Sequence, residues 1–199
     1  LTTTPPANKE TEIVLAGGKL WSPSSPNLYT CRVTFGEDVC EEIFGIREIQ
    51  CDAEHGFCIN GERVILRGAC IHHDNGILGA VNHPFADARK VELLQKAGYN
   101  AIRSAHNPCS VATLEACDRL GMLVLDEYSD MWYIHKTKYD YASDLEQEWR
   151  GDLKSMAEKD YNHPSVIMYS IGNEVAETGQ KRGIRLAAEM TQYLHLLDD

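Results

Sequence analysis

The chain has 199 residues, and its 30 Asp and Glu against 19 Lys and Arg give a formal net charge of −11. This acidic balance disfavours binding to nucleic acid or to an anionic membrane, because both attract basic surfaces. Hydrophobic residues make up 43% of the chain, yet no apolar run is long enough to cross a bilayer, so we expect one folded domain or one and a half.

The first 50 residues have the pattern of short β-strands. We predict strands at 12–16, 29–35 and 39–49, with a turn at Gly17-Gly18 after the first of them. Strands of this length and spacing suggest a β-sandwich. A sandwich needs about seven strands, and only three or four fit here, so this region is expected to be part of one.

A hairpin is predicted next, with strands at 57–59 and 63–66. The two strands flank Asn60-Gly61, the favoured pair for a type I′ turn, because both residues tolerate a positive φ.

From residue 64 onward, strands alternate with helices. The predicted strands are 64–69, 100–104, 122–126 and 166–171, followed in turn by helices at 87–97, 111–120, 144–160 and 184–197. Ser110 is expected to cap the second helix and Gly121 to end it, and Ser143 with Glu146 has the spacing of a capping box. This alternation predicts a parallel sheet, either open or closed into a barrel. A Gly-x-Gly-x-x-Gly motif is absent, which disfavours a dinucleotide site.

Polar side chains follow all four predicted strands, where active residues of parallel α/β proteins gather. They are His72, His73 and Asp74 after the first strand, Arg103 and His106 at the second, Asp126, Glu127 and Asp130 at the third, and Asn173 and Glu174 after the fourth. We expect these groups to project from one rim.

Each of these groups has more than one interpretation. Glu174 could act as a general acid if its environment raises its pKa, or stabilise the start of a following helix. Arg103 and His106 could form salt bridges with Asp126 or Glu127, or bind a hydroxylated or anionic ligand. Adjacent histidines in extended backbone point to opposite sides, so for His72-His73 we favour substrate hydrogen bonding or a structural role over a metal.

Aromatic side chains are concentrated between residues 128 and 141. Tyr128, Trp132, Tyr133, Tyr139 and Tyr141 could stack on sugar rings, or pack beneath the loop that carries them. The sequence leaves both interpretations open.

The seven cysteines bear on the cellular compartment. Their number is odd and they include no Cys-x-x-Cys pair, so we expect reduced, mostly buried thiols rather than disulfides or a zinc site. Reduced thiols favour a cytoplasmic location, with secretion or a periplasmic location left open.

A series of motifs in order along the chain resembles glycoside hydrolase family 2, most closely its β-galactosidase branch. The motifs are Leu-Trp-Ser-Pro at 20–23 with Leu-Tyr at 28–29, Phe-Gly-Ile-Arg at 44–47, Gly-Phe-Cys-Ile-Asn-Gly at 56–61, Leu-Arg-Gly at 66–68, His-His-Asp at 72–74, Asn-Ala-Ile-Arg-Ser-Ala-His-Asn-Pro at 100–108, Cys-Asp-Arg-Leu-Gly at 117–121, Asp-Glu at 126–127, Asn-His-Pro-Ser at 162–165 and Gly-Asn-Glu at 172–174.

The resemblance implies a retaining β-glycosidase on a (β/α)8 TIM barrel that follows an immunoglobulin-like β-sandwich. Residues 1–50 would be the C-terminal part of the sandwich and residues 51–199 the N-terminal half of the barrel. Glu174 would be the catalytic acid/base. His72, Asp74, Arg103, His106 and Asn173 would bind substrate, with Asn173 on the sugar 2-hydroxyl.

Several positions depart from the family pattern. His-Asn-Pro at 106–108 replaces His-Tyr-Pro, and Tyr169 stands where Trp is usual. Some members bind magnesium through Glu-x-His after the third strand, where this chain has Met131-Trp132-Tyr133, so we expect no metal or other cofactor. The family nucleophile, a Glu after the seventh strand, has no counterpart among these residues, since Glu127 and Asp130 do not match it.

Three functional hypotheses follow. The first is a piece of a retaining β-galactosidase-like enzyme, inactive alone because a retaining enzyme needs two carboxylates about 5 Å apart. A β-glucuronidase or other member of the family is its alternative. The second is a non-catalytic carbohydrate-binding remnant, and the third a half-barrel that pairs with another copy. The expected partner is a small carbohydrate, and an open sheet edge favours a homo-oligomer or a longer protein.

Overall fold

Residues 21–63 form three small antiparallel sheets in a computed structural model that describes residues 1–198. The strands are β1 (Trp21–Ser22) paired with β2 (Ser25–Pro26), β3 (Tyr29–Phe35) paired with β4 (Asp38–Phe44), and the three-stranded set of β5 (Ile49–Asp52), β6 (Gly56–Ile59) and β7 (Glu62–Arg63). Asn60 and Gly61 have φ of 54° and 77°, which confirms the predicted type I′ turn.

Two strand predictions in this region are wrong. Residues 12–16 form no strand, because no neighbouring segment supplies a hydrogen-bonding partner. The strand predicted at 39–49 is split between β4 and β5. At the break, Gly45 packs closely against Trp21 and Pro164, and the Arg47 side chain turns to donate to the carbonyl oxygens of Pro164 and Val166, each at 2.6 Å.

The remainder of the chain is a four-stranded parallel sheet with helices, as the alternation predicted. The strands are β8 (Gly68–Ile71), β9 (Ala101–Ser104), β10 (Leu123–Glu127) and β11 (Val166–Ser170), and the helices are α1 (Pro84–Lys96), α2 (Val111–Leu120), α3 (Ala142–Asp160) and α4 (Lys181–Leu197). Each strand pairs with the one before it in sequence, in the order β11-β10-β9-β8. The first strand begins four residues later and ends two residues later than predicted, because residues 64–67 lead from the hairpin into the sheet.

Helix boundaries agree best where a local cap determines them. Ser110 Oγ accepts a hydrogen bond from Thr113 N at 3.2 Å, and Gly121 ends α2 with φ of 75°, both as predicted. The capping box at Ser143 is wrong. Asp140 Oδ1 accepts from Ala142 N at 3.1 Å, so α3 starts before Ser143, whose hydroxyl contacts His135.

The N-terminal region is joined to the sheet by a buried cluster. Trp21 is completely buried among Ile59, Ala101 and Leu123, and its Nε1 donates to the carbonyl oxygen of Asp118 at 2.9 Å. Two further cores lie between the sheet and its helices, one around Leu114 and Met122 and the other around residues of α3 and α4. Among residues 1–198, no helix is both long and apolar enough to cross a bilayer.

The cysteines are free, as predicted, but most are exposed. Cys31, Cys40, Cys51 and Cys70 are exposed, so the expectation of mostly buried thiols is wrong. Cys31 and Cys40 lie on the β3–β4 hairpin, which buries little because it is covered by no second sheet among the described residues.

A buried carboxyl at the end of α3 predicts a pH dependence of stability. Asp160 is 1% exposed, and burial, followed by the nearby Asp126 carboxylate, raises its pKa to about 8 despite the adjacent Lys159. Between pH 4 and pH 8 the unfolded chain is ionised at this position while the folded chain keeps its proton, so the contribution of Asp160 to the free energy of unfolding falls as pH rises. We expect Asp160→Asn to raise Tm relative to the unmodified chain more at pH 8 than at pH 5.

Thermal unfolding followed by circular dichroism at the two pH values measures this difference. Asp144→Asn, on the exposed first turn of the same helix, is the control. An equal Tm difference for Asp160→Asn at pH 5 and pH 8 would contradict the prediction.

Candidate active site

The four parallel strands end on one side of the sheet, where several of the polar groups predicted from sequence gather. His72 directly follows β8, Arg103 lies within β9, Glu127 is the last residue of β10, and Asn173 follows β11. Arg103 is in register with Leu125, and Glu127 lies two residues beyond it, so Arg103 and Glu127 share one face of the sheet. Asp126 points to the opposite face.

Glu127 is the centre of this cluster. Its carboxylate is completely buried and accepts four hydrogen bonds, from Arg103 Nε (2.8 Å) and Nη2 (2.6 Å), His106 Nδ1 (2.6 Å) and Ser170 Oγ (2.7 Å). We call these four residues the Glu127 network. The contact with Glu127 raises the pKa of the Arg103 guanidinium, so Arg103 stays charged. With both carboxylate oxygens bonded, Glu127 is suited to anchor neighbouring side chains rather than attack a substrate.

Asn173 joins this network to the loop after β10. Its Oδ1 accepts from Arg103 Nη2 at 3.0 Å, and its Nδ2 donates to Asp130 Oδ1 at 2.8 Å. Asp130 also accepts from Lys136 Nζ at 3.0 Å. Burial opposes ionisation of Asp130, but the hydrogen bonds from Asn173 and Lys136 outweigh it and lower the pKa of this carboxyl.

Glu174 is presented to solvent on an unusual backbone. Its φ is 45°, in the left-handed region that residues other than glycine rarely adopt. The side chain is exposed, and it makes no hydrogen bond with another residue in the part of the chain that the structure describes. Such strain persists where the surroundings hold it, and it is concentrated at functional sites.

The other predicted site residues are placed differently. His72 stacks edge-on against His106, with ring centroids 5.3 Å apart, which brings it to the rim. His73 points elsewhere, toward Asn82 and the carbonyl oxygen of Pro108. Asp74 is not brought to the cluster, since its carboxylate is exposed and accepts from Gly76 N at 2.9 Å within a turn.

The aromatic loop is part buried and part exposed. Tyr128 and Trp132 are 5% and 1% exposed, and Trp132 Nε1 donates to the carbonyl oxygen of Ile171 at 2.8 Å. Tyr139 alone among the five is almost fully exposed, at 86%. The packing interpretation therefore applies to Tyr128 and Trp132.

The position at which some relatives hold magnesium has unsuitable side chains here. Met131 and Tyr133 stand at the two ligand positions of the Glu-x-His pattern. Met131 offers only a thioether sulfur, and the Tyr133 hydroxyl donates to Gln180 Oε1 at 3.3 Å. Within residues 1–198, no three His, Cys, Asp or Glu side chains are grouped to hold a metal ion. The residues at this position do not fit magnesium, which prefers oxygen ligands.

Sequence reasoning missed two contributors to the site. Ser170 was seen only as part of a strand, although its position opposite Glu127 in the sheet register brings the two together. Lys136 was not singled out at all. It lies in a loop, and no spacing or motif indicates that its ammonium reaches the carbonyl oxygen of Asn173, at 2.7 Å.

Comparison with family models matches nearly the whole chain. The description "Glycosyl hydrolases family 2, TIM barrel domain" matches residues 52–199, and "Glycosyl hydrolases family 2" matches residues 1–47.

Curated relatives and solved structures agree with these matches. The chain is 42% identical over 164 residues to the β-galactosidase BoGH2A of Bacteroides ovatus, covering 80% of this chain and 19% of the relative. It is 39% identical over 162 residues to a putative β-glucuronidase of Formosa agariphila, covering 78% of this chain and 16% of the relative. A crystal structure of a glycosyl hydrolase family 2 member from Bacteroides cellulosilyticus is similar with a TM-score of 0.85 and 48% identity, over 91% of this chain and 24% of that one. The chain thus spans less than a quarter of these proteins.

Proposed function

This chain belongs to glycosyl hydrolase family 2, and from that premise we propose that it forms the acid/base half of a retaining β-glycosidase site for terminal β-galactosides. One observation carries the proposal. Glu174 stands exposed at the carboxyl end of β11, on a strained backbone, next to Asn173, which is tied to the Glu127 network.

In this proposal Glu174 acts first as a general acid and then as a general base. Its carboxyl donates a proton to the glycosidic oxygen as the bond to the anomeric carbon breaks, and its carboxylate then takes a proton from the attacking water. Asn173 binds the sugar 2-hydroxyl, while His72, Arg103 and His106 line the substrate side of the rim. Asp74 would contact substrate only from the turn that it occupies.

The nucleophile is proposed to lie outside these 199 residues. Glu127 is buried and bonded on both oxygens, and Asp130 is paired with Asn173 and Lys136, so neither is free to attack an anomeric carbon. The sheet has four strands of the eight that a closed barrel requires, and both of its edges are open. We propose that residues 1–50 are the C-terminal part of an immunoglobulin-like sandwich and residues 51–199 the first half of the barrel.

A β-glucuronidase is the second candidate, because a relative of 39% identity is named as a putative β-glucuronidase. A uronate carboxylate requires a free cation at the site. Within residues 1–198, Arg103 is paired with Glu127 and Asn173, and Lys136 with Asp130 and Asn173, so both of these cations are already engaged. This pairing supports an uncharged sugar, such as a galactoside, over a uronate as the substrate.

The proposal extends to the setting in which the protein works. We propose a small carbohydrate as the partner, no cofactor, and a cytoplasmic location. The open edges of β8 and β11 favour association with another copy or with further strands of a longer protein.

A panel of nitrophenyl β-glycosides tests the proposed function. We expect a longer protein that carries this sequence to hydrolyse the β-galactoside with retention of anomeric configuration, and to hydrolyse the β-glucuronide less well. The purified 199-residue chain is expected to be inactive, since within residues 1–198 the carboxylates brought to the site beside Glu174, Glu127 and Asp130, are both engaged by other side chains. Product anomers are followed by proton NMR.

The outcomes separate the claims. If the longer protein hydrolyses none of these glycosides, the proposal that it is a glycosidase is refuted. Faster turnover of the β-glucuronide than of the β-galactoside would make the β-glucuronide the better-supported substrate. Robust turnover by the 199-residue chain, lost in its Glu174→Gln variant, would refute the claim that the nucleophile lies elsewhere.

A further inference from the structure

We propose that Lys136 is a positioning residue for Glu174, holding the peptide that precedes the acid/base through a charge-assisted hydrogen bond. The inference deepens the proposed function and rests on the assignment of Glu174 as acid/base. Lys136 lies in the loop between β10 and α3.

The contacts of Lys136 place its charge between two oxygens. Its Nζ donates to the carbonyl oxygen of Asn173 at 2.7 Å and to Asp130 Oδ1 at 3.0 Å. Its side chain is only 29% exposed, and its backbone N donates to Asp140 Oδ2 at 2.7 Å, so the loop itself is held at this residue. Hydrogen bonds from an ammonium group are about twice as strong as those between neutral groups.

Asn173 is held on every polar atom. Its backbone N donates to the carbonyl oxygen of Ser129 at 3.1 Å, its side chain bonds Arg103 and Asp130, and its carbonyl oxygen accepts from Lys136. Of these polar atoms, the carbonyl oxygen is the nearest to Glu174 along the chain, because it belongs to the peptide bond between the two residues. Lys136 therefore fixes the plane of that peptide bond.

This plane matters because Glu174 sits at a φ of 45°. A residue other than glycine leaves the left-handed region readily unless its neighbours oppose the rotation. Rotation about the Glu174 backbone would swing the carboxyl away from the rim. Proton transfer requires the acid within hydrogen-bond reach of the glycosidic oxygen, and a displacement of about 1 Å can cost about 100-fold in rate.

The test compares leaving groups in a longer, active protein that carries this sequence. In Lys136→Met we expect kcat/KM to fall about 10- to 100-fold for a methyl β-galactoside, whose leaving group needs protonation. We expect a change of less than about twofold for the dinitrophenyl β-galactoside, whose leaving group departs without an acid. Lys136→Arg, which keeps the charge, should recover part of the loss.

Two controls keep the outcome interpretable. Lys138→Met removes a lysine of the same loop that lies over the Tyr139 ring and does not contact Asn173. It should leave kcat/KM unchanged for both substrates. Glu174→Gln should show the leaving-group dependence more strongly than Lys136→Met. Amide hydrogen exchange of the 171–175 segment is an independent readout, expected to quicken in Lys136→Met and not in Lys138→Met.

The results distinguish this inference from the proposed function. If Glu174→Gln shows the leaving-group dependence and Lys136→Met does not, the positioning role is refuted and the acid/base assignment stands. If Glu174→Gln itself shows none, the proposed function fails. An equal fall for both substrates in Lys136→Met, with unchanged hydrogen exchange at 171–175, would also overturn the positioning role.

Discussion

Replacing Glu174 by glutamine is expected to lower kcat/KM for alkyl β-galactosides by a factor of about 10² to 10⁴, the usual contribution of a positioned general acid. Glutamine keeps the size and hydrogen-bonding reach of the side chain but has no proton to transfer to the glycosidic oxygen. The fall in kcat/KM should be much smaller for dinitrophenyl β-galactoside, whose leaving group departs without protonation. Steady-state kinetics on both substrates, in a longer protein that carries this sequence, measures the effect.

The fold should be insensitive to this substitution. Glu174 is exposed and bonds no other residue among those described, so the Tm of Glu174→Gln should match that of the unmodified protein. Glu158→Gln removes another exposed glutamate, paired with Lys154 on α3, and serves as the matched control for kinetics. An unchanged kcat/KM for alkyl galactosides in Glu174→Gln would transfer the acid role to a different residue.

Removing the carboxylate of Glu127 is expected to have the largest effect on stability. In Glu127→Leu we expect the free energy of unfolding to fall by about 3–5 kcal/mol, as when one partner of a buried ion pair is deleted. Glu127 is completely buried, and its loss leaves the Arg103 guanidinium, the His106 ring and the Ser170 hydroxyl without their common acceptor. Urea unfolding followed by fluorescence gives the midpoint and the slope.

A graded series identifies the cause. Glu127→Gln retains the shape and one acceptor oxygen, so the free energy of unfolding should fall less than in Glu127→Leu, by about 1–3 kcal/mol. Glu115→Leu removes an exposed glutamate that lies 3.9 Å from Arg119, and should cost at most about 1 kcal/mol. A Glu127→Leu variant that unfolds at the same urea concentration as the unmodified chain would show that the network does not stabilise the fold.

Local signals in the sequence were sufficient for several elements. Helix α2 begins and ends where predicted, because Ser110 and Gly121 act on the backbone within four residues of themselves. The turn at Asn60-Gly61 is equally local. The strand predicted at 12–16 failed for the opposite reason, since a strand exists only where another segment completes its hydrogen bonds.

The features of the candidate site likewise separate into those predictable from the sequence and those that depend on tertiary structure. The sequence by itself determined which polar residues follow the parallel strands, and its motifs indicated the family and led to the proposal that Glu174 is the acid/base. Only the tertiary structure decided that Arg103 bonds both Glu127 and Asn173, because these partners lie 24 and 70 residues away from it along the chain. It also decided that Asp74 turns away and that Lys136 reaches Asn173, since the path of a long loop depends on packing that no short-range pattern encodes.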